Sequence, residues 1–106
     1  MFFEFRQYTI KAGRRAEWVR FMESEIIPFQ ISRGMVVVGS FVDEQDADTY
    51  YWIRRFKSEK ERERLYRRVY ESETWKNDFS PRIGEMLYRE KIVVKRLVPT
   101  PRSVIE

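Results

Sequence analysis

The chain contains no cysteine and no histidine. The first absence excludes disulfides and thiol chemistry, and the second removes the commonest metal ligand and general base. Any metal would have to be held by carboxylates alone, so neither a metal nor a cofactor is expected. No stretch approaches the apolar length that crosses a bilayer, and the amino terminus opens into a strand pattern instead of a signal peptide. A cytoplasmic protein without a membrane span is the expectation. A continuous basic block is also missing: the net charge of +4 comes from arginines and lysines interspersed with acids, which argues against a nucleic-acid partner.

What remains suits one folded domain. With 106 residues the chain is long enough for a real core yet short enough for dimerisation to help bury surface. The segment Tyr50–Phe56 reads as a strand carrying two consecutive arginines among aromatics. Alternation places Trp52, Arg54 and Phe56 on one face and Tyr51, Ile53 and Arg55 on the other, so each face receives one guanidinium. An arginine on a covered face needs a partner: an internal carboxylate such as Glu4, or an anionic ligand. Both readings stay open at this point.

The first strand, Phe2 to Lys11, is similarly two-sided. Phe3 and Phe5 form a greasy side that should meet helices, and Glu4, Arg6 and Tyr8 form a polar, aromatic side. From Arg14 to Arg33 the residues Trp18, Met22, Ile26 and Phe29 recur at helical spacing, Gly34 supplies a stop, and Pro28 predicts a kink or early end. Met35 to Val42 reads as a strand buried on both faces. It is joined to Tyr50–Phe56 through the acidic turn Asp43 to Asp48. Ser58 with Glu61 fits a capping box that opens a second helix. Its face with Arg62, Arg64, Arg67 and Arg68 among glutamates reads as solvated. Ser72 breaks that helix, Trp75, Phe79 and Ile83 resume it with Ser80-Pro81 as a second cap, and Lys91 to Val98 is the last strand.

The order βαββαβ predicts an α+β, ferredoxin-like domain, with a four-stranded antiparallel sheet carrying both helices on one face. It spans residues 1–98, with 99–106 as an extended carboxyl-terminal arm after Pro99. The uncovered sheet face predicts a homodimer built sheet to sheet.

Several segments resemble the NIPSNAP family: Phe3-Glu4-Phe5-Arg6-Gln7-Tyr8, Lys11-Ala12-Gly13-Arg14, Gly34…Gly39-Ser40-Phe41, Trp52-Ile53-Arg54-Arg55-Phe56, Glu61-Arg62 and Tyr70…Trp75. The resemblance runs over nearly the whole chain and implies a dimeric α/β barrel. It implies no reaction, because bacterial members mostly have none assigned. Haem-handling relatives of that barrel use a histidine, which is missing here. Cofactor-free monooxygenases of the antibiotic-biosynthesis type surround an organic substrate with polar and aromatic groups.

The leading reading is a pocket for a small, anionic or carbonyl-bearing organic molecule. Arg6 or Arg54 would grip its oxygen, and Tyr8, Trp52 and Trp75 would wall it. Glu4 is the candidate general base, on the condition that burial raises its pKa. Core packing is the competing account of Trp18, Trp52 and Trp75. The alternatives are a noncatalytic homodimeric interaction module and a cofactor-free monooxygenase-like enzyme.

Overall fold

Four strands, β1 (Phe2–Thr9), β2 (Val36–Val42), β3 (Thr49–Phe56) and β4 (Val93–Leu97), pair in the order β2-β3-β1-β4, in a computed structural model that describes all 106 residues. All three pairings are antiparallel. The first helical connection comprises α1 (Arg15–Phe21), a π turn Met22–Ile26 and α2 (Ile27–Ser32). The second comprises α3 (Glu59–Tyr70), a π turn Trp75–Phe79 and α4 (Ser80–Met86). The predicted βαββαβ order and α+β class are therefore found.

Each π turn ends two residues before a proline. Pro28 has no N–H to give, and its ring crowds the carbonyl four residues back; widening the local turn absorbs this without ending the helix. The expected kink at Pro28 is thus a π turn inside a continuous helical run. Pro81 follows the π turn at Trp75–Phe79 in the same way. Ser58 caps α3 by accepting from the Glu61 amide at 3.1 Å. The second cap is Ser72, whose Oγ accepts from the Trp75 amide at 3.2 Å, and not Ser80, which makes no capping bond because the helix runs through it.

Gly34 ends α2 with φ +104°, and its motif is a Schellman turn: Met35 N–H reaches the Gln30 carbonyl and Gly34 N–H the Ile31 carbonyl, both at 3.0 Å. A Cβ there would also lie 2.9 Å from Leu65 Cδ2. Gly34→Ala is expected to cost about 1–2 kcal/mol from the left-handed backbone alone, read as a lower urea midpoint at unchanged slope.

The helices cover the face opposite to the expected one. Phe2, Glu4, Tyr8 and Ile10 of the first strand segment and Tyr50, Trp52, Arg54 and Phe56 of β3 are buried beneath them. The reason is size: this set brings the larger aromatics, and the fully buried Glu4 and Arg54 pair across the strands, so burying it gains more area than burying Phe3 and Phe5. Phe3 is nonetheless covered, because the carboxyl-terminal residues Val98, Pro99, Ser103 and Ile105 fold back beside it, Ile53 and Leu97. β2 is not buried on both faces. It is an edge strand with a bulge between Val37 and Gly39, and Val36, Val38, Phe41 and Val42 are exposed.

Candidate functional site

The register of the two central strands builds the site. Glu4 lies opposite Arg54, Arg6 opposite Trp52, and Tyr8 opposite Tyr50, all beneath the helices. Arg54 is completely buried and donates to Glu4 Oε1 at 2.5 Å, Gln30 Oε1 at 2.8 Å, and the hydroxyls of Tyr70 and Tyr66 at 2.7 and 2.9 Å. Its guanidinium also lies 4.6 Å from the Trp52 ring centre and 5.2 Å from that of Tyr66. Glu4 accepts in addition from the Tyr66 hydroxyl at 2.6 Å, and from Arg62 Nε and Arg6 Nη1, each at 3.3 Å.

α3 supplies its share as a stripe. Arg62, Tyr66 and Tyr70 are four residues apart and therefore share one helix face. Arg62 stacks 4.1 Å from the Tyr66 ring, and the Tyr66 and Tyr70 rings lie 4.8 Å apart. Arg62 thus leaves the solvated face expected for it and turns toward Glu4.

Beside this network is a cavity of about 260 Å³. Arg6, Tyr8 and Trp52 line it from the sheet; Trp18, Met22 and Ile26 from α1 and the first π turn; Tyr66, Tyr70, Trp75 and Ile83 from the second helical connection. Leu87, the exposed Arg89 and Ile92 complete the wall. Arg6 Nε donates to the Tyr8 hydroxyl at 2.9 Å, and Trp52 Nε1 donates to the same oxygen at 2.9 Å.

The protonation states follow from these contacts. Burial alone would raise the Glu4 pKa, but the charge of Arg54, the bonds from Tyr66 and Arg54, and the charge of Arg6 together hold it at about 2. Burial pushes Tyr8 upward against the opposing charge of Arg6, and pushes Tyr66 to about 12, so both stay neutral phenols.

Of the residues singled out in the sequence, Arg6, Tyr8, Trp52 and Trp75 meet at the cavity, whereas Glu4 and Arg54 lie behind it. Glu4 fails the condition set for a general base: its pKa is lowered, and its oxygens are taken by Arg54, Arg62, Arg6 and Tyr66. Arg54 is fully buried within the ion network and does not line the cavity. The competing readings of Trp52 and Trp75 merge, since each ring is both packed and cavity-lining. Gln30, Tyr66 and Tyr70 are members of the site that the sequence reading did not place there. The four-residue spacing of Arg62, Tyr66 and Tyr70 was the available signal; a buried Gln30 on a helix end left none.

An antiparallel sheet in this order with its helices on one face is a ferredoxin-like α+β domain. The chain belongs to the NIPSNAP family, whose family model matches residues 3–103. It is similar to the crystal structure of a NIPSNAP family protein with unknown function from Agrobacterium tumefaciens, at 26% identity over 100% of this chain and 94% of that one, with a TM-score of 0.89. It is also similar to an uncharacterised NIPSNAP domain protein from Burkholderia xenovorans, at 21% identity, 96% and 97% coverage and a TM-score of 0.84. An antibiotic biosynthesis monooxygenase shares the fold at 18% identity, 95% and 100% coverage and a TM-score of 0.68. A search of curated protein sequences returns no match. No helix is long and apolar enough to cross a membrane.

Proposed function

We propose that this NIPSNAP domain binds a small organic molecule in the cavity between sheet and helices, with an oxygen of the ligand held by Arg6, in a homodimer whose outer sheet faces, with the carboxyl-terminal residues packed beside Phe3, meet to form an α/β barrel. The observation that carries the reading is Arg6 itself. Its Nε and Nη1 are engaged by Tyr8, Glu4 and Tyr66, while its Nη2 has no partner in the chain and the residue lines an otherwise largely apolar cavity. Such a mixture of apolar walls with Arg6 held in place and Arg89 at the exposed rim suits an organic ligand with a polar end. The exposed Val36, Val38, Phe41 and Leu97 support the dimer, since a row of apolar side chains across one sheet favours a second copy.

A native mass spectrum of freshly purified protein is expected to show a dimer carrying extra organic mass. Arg6→Met should lose that mass while keeping the wild-type melting temperature within a few degrees, because Glu4 retains Arg54, Arg62 and Tyr66. A ligand-bearing Arg6→Met dimer would refute the role of Arg6, and a monomer would refute the barrel.

A further inference from the structure

The charges beneath the cavity do not balance. Arg54 and Arg6, with side chains 0% and 19% exposed, share a single carboxylate, Glu4. Arg62, the third cation on that carboxylate, has Glu59 as a further partner at 3.1 Å, and Glu59 is itself held by Arg96 at 2.6 Å. Arg6, Arg54, Arg62 and Arg96 therefore share two carboxylates, and Arg89, which also lines the cavity, bonds only to Ser80, so positive charge is in excess at the cavity wall, where an unpaired charge is costly.

Hydrogen-bond direction gives the same answer independently. The Tyr8 oxygen receives Arg6 Nε–H and Trp52 Nε1–H, two groups that can only donate, so its own proton must point elsewhere, and no acceptor in the chain takes it. The Tyr70 oxygen likewise receives Arg54 Nη1 at 2.7 Å and Gln30 Nε2 at 3.4 Å, and its proton also has no acceptor in the chain. Trp18, 1% exposed and lining the same cavity, has an indole N–H with no partner. No lining residue carries a carboxylate. The groups left over around the cavity all offer hydrogens.

We infer that the cavity takes a flat aromatic acid in its ionised form, the oxyanion seated on Arg6, Tyr8 and Tyr70 and the ring between the tryptophans, and that binding shifts the acid's own proton equilibrium toward the anion. This rests on the small-molecule reading above and deepens it. With no base in the lining, the ligand's O–H bond breaks by release of its proton to solvent; the pocket contributes by stabilising the charge that remains. Carboxylates and phenolates share the required chemistry, an acceptor-only oxygen group on a planar body.

The test is a spectrophotometric titration of 4-nitrophenol, whose anion absorbs in the visible, in the presence and absence of saturating protein, with 2-naphthoate and neutral 2-naphthamide as competitors. The bound phenol should ionise at a pH lower by about one unit or more, a tenfold preference for the anion. 2-Naphthoate should displace it and 2-naphthamide should not. Arg6→Met should weaken binding about tenfold or more and abolish the shift, and Tyr8→Phe should diminish it. A bound phenol with an unchanged or raised pKa, or a naphthamide that competes as well as naphthoate, overturns the inference while leaving the cavity a binding site. Failure of all three compounds to bind the wild-type protein overturns the inference, and if the native mass spectrum also shows no copurifying mass it overturns the small-molecule reading with it.

Discussion

Arg54→Met is expected to be the most damaging single substitution in this chain, lowering stability by about 3–5 kcal/mol, the range for stripping one partner from a buried ion pair. Against a typical total of about 5–15 kcal/mol, such a loss leaves a marginal or unfolded protein. The physical reason is the geometry. Without Arg54, Glu4 keeps only the longer contacts to Arg6 and Arg62 and the Tyr66 hydroxyl, while Gln30 Oε1 and the Tyr70 oxygen lose their closest donor. Methionine fills the space of the stem but offers no charge. The double variant Glu4→Met with Arg54→Met should be less damaging than the sum of the two single changes, because it removes both charges together. Urea denaturation of the four proteins measures this; an Arg54→Met loss below about 1 kcal/mol, as for an exposed pair, would contradict the network.

Acid should act on the same carboxylate. The Glu4 pKa falls from 4.5 to about 2 in the folded protein, despite burial that raises it, because of Arg54, Tyr66 and Arg6. A carboxyl whose folded pKa is depressed binds its proton more readily when unfolded. Its stabilisation is therefore complete above about pH 4.5 and is lost as pH falls toward and through 2. The size is a few kcal/mol, comparable to a buried pair. Glu25, held low by its bond from Arg82, and Asp43, held low by the Tyr51 hydroxyl, work in the same direction from the surface. Denaturation midpoints between pH 6 and pH 2 should fall across this window, and Glu4→Gln should flatten the fall while lowering stability at pH 6. A Glu4→Gln profile parallel to wild type would show that Glu4 is not the titrating group.

The fold was legible because its signals are local. Gly34 after a 3.6-residue pattern, Ser58 before Glu61, and alternating aromatics in Tyr50–Phe56 each dictate a piece of backbone, and the order of pieces gives the topology. The side of the sheet that faces the helices was not legible. Phe3 and Phe5 looked like the core side because alternation was judged by polarity, whereas Glu4 and Arg54 become as buried as phenylalanines once they pair across neighbouring strands. That pairing depends on register between residues 50 apart, which local patterns do not carry. The same limit hid Gln30, whose importance comes entirely from Arg54. Ser80 misled for a different reason: a serine before a proline resembles a cap, but here the helix has already begun at the Ser72 cap.

For the site, sharing a face was enough to group Arg6 with Tyr8, and the structure adds what sharing a face cannot show. Glu4 is held acidic and enclosed by four donors, neither it nor Arg54 lines the cavity, and Tyr70 joins Tyr8 in presenting a hydroxyl proton without an acceptor. The buried network and the cavity wall are therefore one residue apart: Arg54 holds the floor together, and Arg6 stands at its edge.

The most direct test of the central claim, that an unbalanced positive charge in an apolar cavity makes a site for an organic anion, is a calorimetric titration of the intact protein with 2-naphthoate, repeated with Arg6→Met. Saturable binding by wild type, weakened tenfold or more by the substitution at unchanged stability, is the predicted result. Heat from wild type and Arg6→Met that cannot be told apart, or none from either folded protein, would contradict it.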